Sequence, residues 1–183
     1  MDRRMYMKCI DAEILRFLPK LKLPRLFKLL IVINLEPSCR AIYYIRKMQY
    51  YSKRSWIFRL LSRYYYAKLV REFGICIGAN AEIGIGLHIP HPTSIVIGGS
   101  VKIGKNFSIY QNCTVGGART GDVKKGNQPT IGDNVTLFSG SMILGHITVA
   151  NNVTIGANSV LLKDALEEGV YVGTPAKRHV SNK

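Results

Sequence analysis

The sequence has few acidic residues, few cysteines and no long apolar run. Eleven Asp and Glu stand against 26 Lys and Arg, for a formal net charge of +15. The deficit is local. Residues 1–72 hold 5 acids against 17 bases, and residues 73–183 hold 6 against 9. The positive charge therefore belongs to the first part of the chain. Cys9, Cys39, Cys76 and Cys113 are scattered singly, with no CxxC or Cys/His spacing, which argues against a disulfide framework and a zinc finger. The longest strongly apolar stretch, Leu29 to Leu35, is far shorter than the ~20 residues that cross a bilayer. Lys and Arg interrupt every early apolar run and no small-residue cleavage site follows, so no signal peptide is read and a cytoplasmic location is expected. A chain of 183 residues suits one core domain plus an appendage.

What is present is a repeat. An aliphatic residue returns every six positions at Ile77, Ile83 and Ile89. It resumes after a shift of two at Ile97, Ile103, Ile109 and Val115. A gap of sixteen leads to Ile131, Leu137, Ile143, Val149, Ile155 and Leu161. Gly often follows the aliphatic residue, and a small or β-branched residue such as Ala81, Val101 or Cys113 sits four after it. A period of six matches neither a helix nor a long strand. It matches a three-sided prism with one short strand per side, the aliphatic residue inward and a permissive residue at each corner. A β-sandwich would turn every 8–12 residues instead.

The hexapeptides of residues 77–163 resemble the hexapeptide-repeat acyltransferases. GLHIPHPTSIVIG (86–98), NCTVGGARTG (112–121), the segment 128–164 and VGTPAKR (172–178) are similar to the serine acetyltransferase branch. That branch also includes O-acetyltransferases of surface polysaccharides. The resemblance implies a mainly β fold, a left-handed parallel β-helix over 74–165, with a basic helical region over 1–73, a loop at 116–130 and a C-terminal tail at 166–183. It implies acetyl-CoA as co-substrate, no metal requirement, and a homotrimer with sites at subunit interfaces.

Acetyl transfer to a hydroxyl needs a base near neutral pKa, and histidine suits this. His91 sits just before the two-residue break, where a side chain can be re-aimed into a groove, and it matches the family's catalytic histidine. His88, three residues earlier, is a candidate substrate contact, while His146 and His179 read as solvated. The family's orienting carboxylate, fifteen positions before the base, is Cys76 here; Glu82 is the alternative partner. Gly116 and Gly117 open the loop, and Gly117 is expected to offer its N–H to the oxyanion. By resemblance, Gly116, Ser139, Gly140, Ala157, Lys163, Ala176, Lys177 and Arg178 contact CoA.

Pro90, Asn127 and Gln128 fall where serine acetyltransferases carry charged acceptor ligands. Their neutrality points to a sugar hydroxyl, on a small or lipid-linked glycan of surface polysaccharide biosynthesis, with serine as the alternative acceptor. A zinc protein of carbonic anhydrase type would need His88, His91 and His146 at another spacing. Residues 1–72 read as helices, at Ile10 to Leu18 and Ser55 to Val70, punctuated by Pro19, Pro24 and Pro37. Basic residues interleaved with Trp56 and with tyrosines from Tyr43 to Tyr66 predict a peripheral contact with the inner face of the cytoplasmic membrane. No nucleic-acid-binding signature accompanies the charge, so none is expected as partner.

Overall fold

A computed structural model describes residues 1–17 and 22–179. Leu18 and Pro19, expected at the end of the first helical stretch, and residues 180–183 of the tail lie outside them. Four helices come first: α1 (Arg3–Glu13), α2 (Arg25–Leu35), α3 (Pro37–Ser52) and α4 (Trp56–Phe73). Asp2 starts α1 early because its carboxylate accepts the Met5 N–H at 2.7 Å. Pro37 occupies the first turn of α3, where its missing N–H costs nothing. Gly74, at φ +63, ends α4 in the left-handed conformation that glycine tolerates.

From Cys76 the chain visits three sheets in turn, parallel throughout except for the last strand of the third. The first contains β1 (Cys76–Ile77), β3 (Val96–Ile97), β6 (Thr114–Gly116), β9 (Met142–Leu144) and β12 (Val160–Leu161). The second contains β2 (Glu82–Ile83), β4 (Lys102–Ile103), β7 (Thr130–Ile131) and β10 (Thr148–Val149). The third contains β5 (Ser108–Ile109), β8 (Thr136–Leu137), β11 (Val153–Ile155), β13 (Gly169–Gly173) and β14 (Ala176–His179). This is the three-sided coil that the repeat predicts. Register reads the insertions directly. Val96 pairs with Thr114 in a regular coil, whereas Cys76 reaches two residues further to Val96 and Thr114 reaches ten further to Met142. Every inward aliphatic of the repeat is buried except Ile83, half-buried beneath the helices. Each such burial stabilises by roughly 1.5–3 kcal/mol.

The corners differ from expectation in one respect. The glycines after the aliphatic residues do not adopt positive φ; Asn106, Asn112, Asn134, Asn152 and Asn158, further along, do. Gly104 is required for another reason: a Cβ there would lie 2.2 Å from Asp133 Oδ1 of the next coil. On one edge the asparagines form a ladder. Asn106 Nδ2 donates to Asn134 Oδ1 at 2.9 Å, Asn134 Nδ2 to Asn152 Oδ1 at 3.0 Å, and Asn152 Nδ2 to Glu168 Oε2 at 3.2 Å.

Two segments carry structure of their own. The loop of 116–130 contains a one-turn helix, α5 (Asp122–Lys125), bounded by Gly121 and Gly126 at positive φ. The described part of the C-terminal tail is a hairpin: β13 continues the third sheet in parallel, and β14 folds back antiparallel on it.

A buried ion pair joins the two parts. Arg46 of α3 donates from Nη2 to Glu13 Oε1 at 2.6 Å and from Nε to Oε2 at 2.8 Å, with both side chains fully buried. The same guanidinium donates to the carbonyls of Ile83 and Gly84, while Glu13 accepts the N–H groups of Gly86 and Leu87. Removing one partner strands a buried charge, so Glu13→Gln and Arg46→Met are each expected to destabilise the protein by about 3–5 kcal/mol in urea unfolding. A loss no larger than that of an exposed Arg25→Met control would show that the pair does not hold the two parts together.

Candidate active site

One edge of the prism gathers five of the expected site residues. Asn112 N–H donates to Thr93 O at 3.2 Å, Gly140 N–H to Gln111 O at 3.0 Å, and Asn158 N–H to Ser139 O at 2.9 Å. Thr174 Oγ1 donates to Asn158 O at 3.5 Å and closes the column at the hairpin turn. His91, Ser139, Gly140, Ala157 and Ala176 therefore lie on or beside one edge, in successive coils.

His91 is exposed, in the segment that holds the two extra residues. Three bonds pin that segment. Ser38 Oγ of α3 donates to Pro90 O at 3.0 Å, Thr93 N–H to His91 O at 2.8 Å, and Ser94 N–H to Phe73 O at 3.0 Å. Pro90 thus contributes its carbonyl to an anchor between α3 and the first coil. His88 is half-buried, with its backbone bonded to Phe107 O and Ile109 N–H. Burial, then the nearby Arg16, lowers its pKa, which favours the neutral ring.

Rings continue from His91 down the edge. Its centroid is 6.1 Å from that of Tyr110, and Tyr110 stacks on the exposed Phe138 at 5.1 Å. Sequence reasoning missed this pair. The signal was present, because Tyr110 and Phe138 each follow an inward aliphatic, Ile109 and Leu137, at equivalent positions of successive coils.

No Asp or Glu forms an ion pair with His91 among the described residues. Cys76 lies beside the Tyr66 hydroxyl, whose pKa is raised by burial first and by Cys76 second. Glu82 lines a cleft of about 320 Å³ with Met1, Met5, Gln49 and Lys53, away from His91. Neither Cys76 nor Glu82 is therefore placed as an orienting carboxylate for the ring.

Gly116 and Gly117 stand on the next edge, where Gly145 N–H donates to Gly116 O at 2.9 Å. The width of the first sheet, roughly 15 Å at about 3.3 Å per residue, separates Gly117 from the His91 edge within one chain. Lys163 is exposed beyond β12, the strand that leads to this second edge, and His146 lies on it, next to Gly145. Gly117 has a local constraint as well, since a Cβ would meet Asp122 Cβ at 2.5 Å. Lys177 and His179 are exposed on β14. Arg178 is engaged, its guanidinium 2.9 Å from Glu167 and bonded to Glu168 O.

Asn127 is half-buried and Gln128 is buried, 3% exposed. The Gln128 carboxamide sits against Gly98 and accepts the Ser100 N–H, which makes it a brace of that corner. Its neutrality thus follows from its place in the corner and carries no information on an acceptor's charge.

Comparison with known proteins bears on the acceptor. Residues 128–163 match the family described as Bacterial transferase hexapeptide (six repeats). A serine acetyltransferase of Staphylococcus epidermidis is 43% identical over 118 residues, covering 62% of this chain and 54% of that protein. The solved Neisseria gonorrhoeae serine acetyltransferase gives a TM-score of 0.76 at 28% identity, over 97% of this chain and 67% of that one. Its complex with serine gives 0.72 at 29% identity, over 95% and 69%. A serine acetyltransferase in complex with CoA gives 0.70 at 28% identity, over 95% and 68%. The chain spans about half the length of the curated relatives it matches. The sugar acceptor expected from Pro90, Asn127 and Gln128 is corrected by these likenesses, which are to serine acetyltransferases. The glycan partner and the polysaccharide pathway fall with it.

Gln128→Ala is expected to destabilise by about 1–3 kcal/mol, because the Ser100 N–H loses its acceptor. Urea unfolding checks this, and a change within the error of the midpoint would mean that the corner does not need its brace.

Proposed function

We propose that this chain transfers the acetyl group of acetyl-CoA to the hydroxyl of serine. The observation that carries the reading is the single edge on which His91 and the CoA-contact positions Ser139, Gly140, Ala157 and Ala176 are stacked. The likeness to serine acetyltransferases solved with serine and with CoA supports the choice of acceptor and donor.

In this reading the coil is left-handed, and copies associate as a trimer that brings the loop of one chain to the His91 edge of another. Within one chain Gly117 is too far from His91 to share a reacting centre with it, so a site that uses both needs two chains. His91 takes the serine hydroxyl proton as the oxygen attacks the thioester carbonyl. The N–H group of Gly117 receives the oxyanion. The carbon–sulfur bond then breaks, and the proton held by His91 passes to the departing CoA sulfur. Exposed Arg119, Lys124 and Lys125 of the loop supply positive charge for the serine carboxylate, which Asn127 and Gln128 do not. The apolar pantetheine arm lies along Tyr110 and Phe138, and Lys163 and Lys177 face the CoA phosphates.

Thiol release from acetyl-CoA is expected to depend on L-serine and to fall by about 10²–10⁴-fold in His91→Ala. Serine-independent release, or an unchanged rate in the variant, would reject the assignment. Phe138→Ala is expected to raise KM for acetyl-CoA about tenfold, the equivalent of 1.4 kcal/mol, with KM for serine little changed. A rise confined to serine would move the aromatic pair from the donor side to the acceptor side.

A further inference from the structure

Between Glu36 and Glu72 the chain carries nine Lys and Arg and no acidic residue. Several of the cations are engaged within the protein. Arg46 is held by Glu13, Arg40 and Lys68 pair with Glu72, and the Lys47 ammonium sits among the rings of Tyr6, Tyr43 and Tyr51. The tyrosines are divided in the same way. Tyr44 is buried and Tyr43, Tyr50 and Tyr65 are half-buried in packing between helices, so they are not available to an outside partner.

Lys53 and Arg54 precede α4, with Arg54 over the rings of Tyr50 and Phe58, and a further set faces outward on α4. Ser62 and Leu69 are its buried positions, with Phe58 and Tyr65 half-buried on the same side. Opposite them, at spacings of four, stand Trp56, Leu60 and Tyr64, which are 66%, 56% and 50% exposed. Arg59 and Arg63 flank this strip, are exposed, and have no ion-pair partner among the described residues. The helix spans about 27 Å at 1.5 Å per residue. No described helix is long and apolar enough to cross a membrane.

We propose that the outer face of α4 docks on an anionic lipid bilayer. The helix lies in the interface, with Trp56, Leu60 and Tyr64 at the level of the acyl boundary and Arg59 and Arg63 on headgroup phosphates. The charge selects this occupant. A second copy would set the same cations against each other, with no carboxylate on α4 before Glu72 to offset them. A nucleic acid would satisfy the cations and leave the Trp and Leu side chains against water or phosphate. A bilayer takes both. The inference is independent of the acetyl acceptor.

Trp56 is the only tryptophan of the chain, so its emission reports on this face alone. Full-length protein is mixed at low salt with vesicles of phosphatidylcholine, with or without phosphatidylglycerol. The expected result is a shift of emission to shorter wavelength and quenching by brominated acyl chains, both confined to the anionic vesicles. Arg59→Glu combined with Arg63→Glu is expected to weaken partitioning at least about tenfold. If the circular dichroism of that variant shows unfolding, quenching of the wild type decides the matter. Sedimentation with vesicles while Trp56 remains unshifted would overturn the proposal, as would no binding at all. A shift that grows with protein concentration without lipid would assign the face to a second copy. An equal shift on adding RNA would assign it to a polyanion.

Discussion

The fold depends on how its first coil is closed. In the second sheet β4 and β7 have a strand on both sides and β10 is followed by a bridge to Ala165, but β2 pairs only with β4 and leaves one edge of the prism open. An open strand edge recruits other strands unless it is covered. Here side chains cover it. Arg46 supplies donors to the carbonyls of Ile83 and Gly84, Glu13 supplies acceptors to the N–H groups of Gly86 and Leu87, and Gln49 Nε2 donates to Ala81 O at 3.2 Å. The ion pair therefore does two things at once. It satisfies its own charges, and it substitutes for the strand that would otherwise continue the coil. The helices cap the coil through this chemistry as much as through apolar contact.

The coil itself was legible because its constraint is periodic. One inward residue per side leaves a mark every six positions, and the insertions show as breaks in that count. The corners were half legible. The frequent glycines suggested positive φ, yet it is the asparagines that adopt it, while Gly104 answers to the close approach of Asp133. The Arg46–Glu13 pair was not legible. Glu13 and Arg46 are single charges in amphipathic helices, and only the packing of α1 on α3 shows that they meet. The hairpin at the C-terminus was hidden for a related reason. Its β13 carries the single inward residue Tyr171, and β14 pairs antiparallel, outside the repeat.

The site was legible where it interrupts the rhythm and obscure where it obeys it. His91 stands at a break, and the structure gives the break a cause in the anchors from Ser38 and Phe73. Tyr110 and Phe138 sit in ordinary hexapeptides, so only alignment of successive coils reveals that they stack beneath His91. Gln128 shows the opposite error. Its place beside a functional motif suggested an acceptor ligand, but its amide is held by Ser100. Neutral residues at expected ligand positions argue about specificity only when their side chains are free to reach a ligand.

The asparagine ladder gives one corner of the prism a direction. Each amide from Asn106 through Asn134 to Asn152 donates its Nδ2 to the coil below, and Asn134 and Asn152 accept on Oδ1 from the coil above. The dipoles run head to tail and reinforce one another. The column ends on Glu168, a group that only accepts when ionised, so the chain of donors has a proper sink. A carboxylate in the middle of the column would have no hydrogen to pass on. The corner therefore tolerates its charge at one end alone, and the stack of coils is polar along its length even though its core is apolar throughout.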